Sequence, residues 1–90
     1  MELGETHRAL LSDGLAHANN IKLRAPDRDL DYPAFAHRIE ALRELVMSGY
    51  ASWRGQGPLK DYTQSGRYSA ADAVLTDAGI AEAEKRRAGG

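Results

Sequence analysis

Tyr32-Pro-Ala-Phe-Ala-His-Arg-Ile-Glu-Ala-Leu-Arg-Glu-Leu-Val-Met-Ser-Gly-Tyr50 carries the strongest periodic signal in the chain. Phe35, Ile39, Leu42, Leu45 and Val46 recur at helical spacing and form one apolar stripe. His37, Arg38, Glu40, Arg43 and Glu44 fall outside it, so one face packs and the other meets solvent or a partner. Pro33 suits the first turn, where its missing N–H is not needed, and Asp31 places a carboxylate near the positive end of the helix dipole. Gly49 follows the last periodic residue and can take the left-handed conformation that ends a helix, with Tyr50 set to fold back on the last turn. The stretch predicts a helix with both ends marked.

Downstream, Tyr50 to Arg54 has aromatic residues near both ends and reads as a strand, broken by Gly55-Gln56-Gly57-Pro58. Residues 55–72 then read as a long polar loop in which Leu59 and Tyr62 are the expected packing groups. Ala73-Val74-Leu75 is a short apolar run that can pair antiparallel with Tyr50 to Arg54 and close a hairpin. A helix N-capped by Thr76 follows to Arg87, with acids early and Lys85-Arg86-Arg87 complementing the dipole at its end, and Ala88-Gly89-Gly90 should fray. A competing start at Ser69, read as a capping box with Asp72, would remove the second strand.

Upstream, residues 5 to about 20 predict another helix, with Leu10, Leu11, Leu15 and Ala18 on one side. Gly14 in its middle costs roughly 1 kcal/mol of helix propensity, or marks close approach of another helix. Ile21-Lys22-Leu23-Arg24 alternates and fits either a short strand or a continuation of that helix. Ala25 to Asp31 is a turn-rich connector, with Pro26 disfavouring helix before it and one helical turn starting near Asp27.

Ninety residues suffice for a single domain over 1–90 that buries about 60–65% of the surface its unfolded chain exposes. Alanine-rich apolar content of 42%, with one Phe and one Trp, fits helices better than a large β-sandwich. The absence of cysteine excludes disulfides and cysteine zinc sites. The N-terminus lacks a basic segment followed by an apolar run, so no signal peptide or membrane span is expected and a cytoplasmic protein is. Net charge of −1 weighs against a generic nucleic-acid sponge, although Arg54, Lys60 and Arg67 against Asp61 alone make residues 49–71 locally positive.

Leu42-Arg-Glu-Leu45 with Ser48-Gly49-Tyr50, followed by a polar hairpin and Leu75-Thr76-Asp77-Ala78-Gly79, resembles the second half of a winged helix-turn-helix domain of the MarR-like and PadR-like bacterial regulators. The match covers residues 33–87. It implies a small α+β, mostly α, winged-helix-like domain with three main helices and a two-stranded wing. Arg24 to Asp31 stands where a helix-turn-helix has its first helix, and the wing is longer than usual. The resemblance implies that the protein binds double-stranded DNA as a transcriptional regulator, and as a homodimer, since the families it resembles dimerise. Tyr32, His37 and Arg38 are then the groove-facing candidates, and Arg54, Lys60 and Arg67 the phosphate contacts.

Glu40 and Glu44 would repel phosphate, which leaves a second reading open: a protein-interaction module on the same scaffold, such as a phage-encoded inhibitor of the anti-CRISPR or other anti-defence kind. Solvation alone would also account for His37, Arg38 and the loop cations, and core anchoring for Tyr50 and Trp53. His7, His17 and His37 lack the spacing of metal ligands, and no phosphate loop, nucleophile elbow or acid/base carboxylate pair is visible. Asp27, Asp29 and Asp31 lack the glycine and distal glutamate of a calcium loop. Neither a cofactor nor catalysis is expected.

Overall fold

The computed structural model describes residues 2–89. In chain order it contains α1 (Glu5–Ala16), β1 (Asn20–Arg24), α2 (Tyr32–Met47), β2 (Ala51–Trp53), β3 (Leu59–Asp61), β4 (Arg67–Leu75) and α3 (Asp77–Gly89), with short 3-10 turns at Asp29–Asp31 and Tyr62–Gln64. The result is an α+β fold in which helix residues outnumber strand residues.

The central helix ends as its sequence dictates. Gly49 takes φ +85, its N–H donates to the Val46 carbonyl, and the Tyr50 N–H reaches back to the Leu45 carbonyl at 2.9 Å. Two orphan carbonyls of the last turn are thereby satisfied. Phe35, Ile39, Leu42 and Leu45 are buried as the stripe requires, Val46 is partly buried, and Ala41 joins them.

Strand β4 is the centre of an antiparallel sheet ordered β1-β4-β2, with β3 beside β2 on the same side of β4. The expected hairpin pairing holds: Ala51 faces Leu75, Ser52 faces Val74 and Trp53 faces Ala73. Its first arm is broken into β2 and β3 by the excursion of residues 54–58, and a bulge follows at Leu59/Lys60. Alternation puts Ile21, Leu23, Ala51, Ala71, Ala73 and Leu75 on the buried face of the sheet. Lys22, Arg24 and Ser52 are exposed on the opposite face, so the sheet is covered on one side only.

The resembling fragments on either side of the hairpin meet in one junction. The Thr76 hydroxyl donates to the Gly49 carbonyl, the Thr76 N–H donates to the Tyr50 carbonyl at 3.1 Å, and the Gly79 N–H donates to Thr76 Oγ1, which caps α3. A Cβ at Gly79 would stand 1.9 Å from the Tyr50 oxygen. Only glycine lets the first turn of α3 lie against the end of α2.

Several expectations are corrected. Helix α1 stops at Ala16, because the Asn19 N–H returns to the Gly14 carbonyl and Ala18 and Asn19 turn left-handed; Ala18 is exposed rather than part of the apolar side. Gly14 does mark a close approach, but to Ile21 and Leu75 of the sheet rather than to a helix. Residues 21–24 are a strand because β4 supplies their ladder, from Asn20 opposite Val74 to Arg24 opposite Ala70. That ladder also excludes a helix starting at Ser69 and shortens the expected loop over 55–72. Leu59 and Tyr62 do not pack: they are 52% and 84% exposed, and Tyr68 is the aromatic that packs against the core here. Helix α3 runs through Gly89; Gly90, expected to fray, and the side chain of Arg87 lie outside the described residues.

Candidate functional site

Between β1 and α2 the chain makes only the 3-10 turn Asp29–Asp31, so no helix precedes α2 in the manner of a helix-turn-helix. The outward side of α2 is consequently bordered by this connector, by the N-terminal part of α1 and by the β3–β4 hairpin. Pro33, His37, Glu40, Glu44 and Met47 follow one another at spacings of three and four, and all are exposed, Met47 at 79%. They form the exposed stripe of α2.

Both carboxylates in this stripe are held. Glu40 accepts a 2.6 Å hydrogen bond from the Tyr68 hydroxyl and lies 3.3 Å from Arg43, which also donates to the Tyr68 oxygen at 3.1 Å. Arg43 keeps its charge more firmly than an unpartnered arginine: the Tyr68 bond raises its pKa most, partial burial opposes this, and the Glu40 charge adds to it. On the other flank, His7 Nδ1 accepts the Gly4 N–H at 3.0 Å, leaving Nε2 to donate to Glu44 Oε1 at 2.8 Å. Glu40 is thus tied to the hairpin and Glu44 to α1.

The six residues singled out by the sequence separate on this framework. Tyr32 is partly buried; its hydroxyl accepts the Tyr68 N–H at 2.9 Å and its ring packs on Phe35. Arg67 lies over the Tyr32 ring at 4.5 Å and pairs with Asp29 at 3.0 Å. Lys60 lies 5.5 Å over the Tyr68 ring. These three are therefore brought together as a latch between the hairpin, the connector and α2. His37 shares a hydrogen bond with Thr6 of α1 at 3.2 Å. Arg38 is exposed, off the outward stripe, and has no side-chain partner among the described residues. Arg54 is also exposed and lies apart, lining a shallow hollow with Gly57, Ala71 and Asp72.

Tyr68 is the member of this site that sequence reading passes over. Strict alternation from Ala71, Ala73 and Leu75 would set it on the open face; the register irregularity opposite Leu59/Lys60, where Leu59 pairs with Ala70 but Lys60 with Tyr68, turns it to the helix side, and no local sequence signal marks that. Beside the latch, residues 25–29, Tyr32, Asp61 and residues 67–69 line a polar pocket of about 310 Å³. Leu30, 82% exposed, and Tyr62 are sequence neighbours of its lining residues. Among the described residues there is no group of three or more His, Cys, Asp or Glu side chains arranged to hold a metal ion, and no helix long and apolar enough to cross a membrane.

Comparison with protein-family models, with curated proteins and with solved structures finds no match to this chain. The chemistry of the site therefore rests on its own residues.

Proposed function

We propose that this chain is a winged-helix domain used as a protein-interaction module, with the outward side of α2 and the adjoining hairpin, its wing, as the contact surface. The winged-helix assignment is supported by the sheet order β1-β4-β2 and by the junction that joins Gly49-Tyr50 to Thr76–Gly79. One observation carries the interaction reading. The stripe of α2 that would enter a major groove presents Glu40 and Glu44, each anchored by a neighbour, while Arg67 of the wing is already paired with Asp29. Fixed carboxylates repel phosphate. Met47, Leu30, Leu59 and Tyr62, all exposed, supply apolar area of the kind protein interfaces bury. A cytoplasmic inhibitor of a host or phage protein fits this surface.

The rival reading, a DNA-binding regulator acting as a homodimer, has for support Arg38 on the first half of α2, which is exposed and without a side-chain partner among the described residues but lies off the outward stripe. An arginine there can make paired hydrogen bonds to guanine. Fluorescence anisotropy with duplex DNA separates the two. The expected result is no binding at 50 mM salt; affinity that falls about 10³-fold or more by about 200 mM, the mark of several phosphate contacts, would replace the interaction reading by the regulator.

A further inference from the structure

Opposite the helices, the open face of the sheet gathers cations in a chain whose net charge is −1. Lys22 stands directly across from Asp72 in the β1–β4 register, Arg24 pairs with Asp72 through bonds of 2.7 and 3.3 Å, and the Arg54 N–H donates to the Asp72 carbonyl. One carboxylate thus sits among three cationic residues. Asp72 holds the Arg24 pKa above its usual value, mainly through the hydrogen bond. Lys22 and Arg54 have no side-chain ion pair among the described residues.

Strand β1 is also an edge. Asn19 accepts from the Leu75 N–H and the Ala25 N–H donates to Ser69, so the odd-numbered residues from 19 to 25 turn their backbone groups toward β4. The N–H and C=O groups of Lys22 and Arg24 therefore point to the free side. At the head of the same strand, the Asn20 side-chain amide donates to the His17 and Ala18 carbonyls at 3.3 Å each, which fixes its orientation. Its Oδ1 is then buried with no hydrogen-bond partner. Asn20 and Lys22 line a hollow of about 310 Å³ with Asp13 and His17, which themselves lie 3.4 Å apart.

We propose that β1 is a docking edge for an extended acidic segment of a partner protein, which adds to the sheet as a further strand. Backbone groups of Lys22 and Arg24 supply the ladder, and acidic side chains on alternate positions meet Lys22 and Arg24 on the open face. A second copy of this chain is the wrong occupant, because antiparallel self-pairing centred on Lys22 sets that lysine against its own image. Duplex DNA lacks the backbone donors and acceptors that a strand edge pairs with. This edge lies apart from the α2 stripe, and its test is independent of that reading.

The probe is the peptide acetyl-Glu-Val-Glu-Val-Glu-amide, compared with its lysine counterpart, with amide–water exchange of the intact chain followed by NMR. At a concentration about ten times its dissociation constant, the acidic peptide is expected to slow exchange at Lys22 and Arg24 roughly tenfold while leaving the α2 amides unchanged. Lys22→Glu, at an exposed position, is expected to abolish this and to confer protection by the lysine peptide instead. Three results would each overturn the proposal: no protection by the acidic peptide, equal protection in Lys22→Glu, or protection that grows with protein concentration in the absence of peptide.

Discussion

Gly79 and Gly14 both sit where helices press against other elements, yet what each presses against differs. A methyl group at Gly14 would meet Ile21 Cγ1 at 2.9 Å and Leu75 at 3.1 and 3.2 Å, all side-chain atoms that can shift. Gly14→Ala recovers about 1 kcal/mol of helix propensity against about 1–3 kcal/mol of overpacking, so a net loss of about 0–2 kcal/mol is expected. At Gly79 the obstacle is the Tyr50 carbonyl oxygen, 1.9 Å from the added atom, and backbone held by α2 and Thr76 cannot yield in the same way. Gly79→Ala is expected to cost at least about 3 kcal/mol, lowering Tm by about 12–24 °C at about 4–8 °C per kcal/mol. Thermal unfolding of the two variants beside the parent chain checks the order; a Gly79→Ala protein as stable as Gly14→Ala would contradict the junction described.

Among the elements, α2 was fully legible, because its stripe, Pro33 and Gly49 are all local signals. The pairing of Ala51–Trp53 with Ala73–Leu75 was legible too, since both runs are apolar and lie between breakers. Strand β1 was not, because four alternating residues suit either a strand or a helix until β4 supplies partners far along the chain, from Asn20 opposite Val74 to Arg24 opposite Ala70. The hairpin latch was hidden for the same reason: Tyr68 meets Glu40 from 28 positions away. This latch predicts a coupled response. Tyr68→Phe removes a hydroxyl that donates to Glu40 and accepts from Arg43, with an expected cost of about 1 kcal/mol. In a double-mutant cycle with Glu40→Gln, a coupling of at least about 0.5 kcal/mol is expected from denaturant unfolding. Faster amide exchange at Arg67 to Ser69 in Tyr68→Phe should accompany it; strictly additive losses and unchanged exchange would show that the hairpin is held by β4 alone.

Across the whole molecule, the positions of charges matter more than their near-balance. The helix stripe carries Glu40 and Glu44, the open sheet face carries Lys22, Arg24 and Arg54 around Asp72, and Arg67 at the turn end of the hairpin is paired with Asp29. A polyanion approaching the α2 side therefore meets anchored carboxylates first. If these acids are what excludes DNA, removing them should admit it. Glu40→Gln with Glu44→Gln changes the net charge from −1 to +1 and leaves Arg38 on α2 without opposing charge on the same helix. The double variant is expected to gain weak, salt-dependent duplex binding at about 50 mM salt, in the range of non-specific contacts near 10⁻⁴–10⁻⁶ M, that fades by about 200 mM. The parent chain is expected to show none in the same titration. Equal binding by both proteins would mean that the carboxylates do not govern access to α2, and loss of binding in the variant relative to a parent that binds would assign Glu40 or Glu44 a direct role in contacting bases.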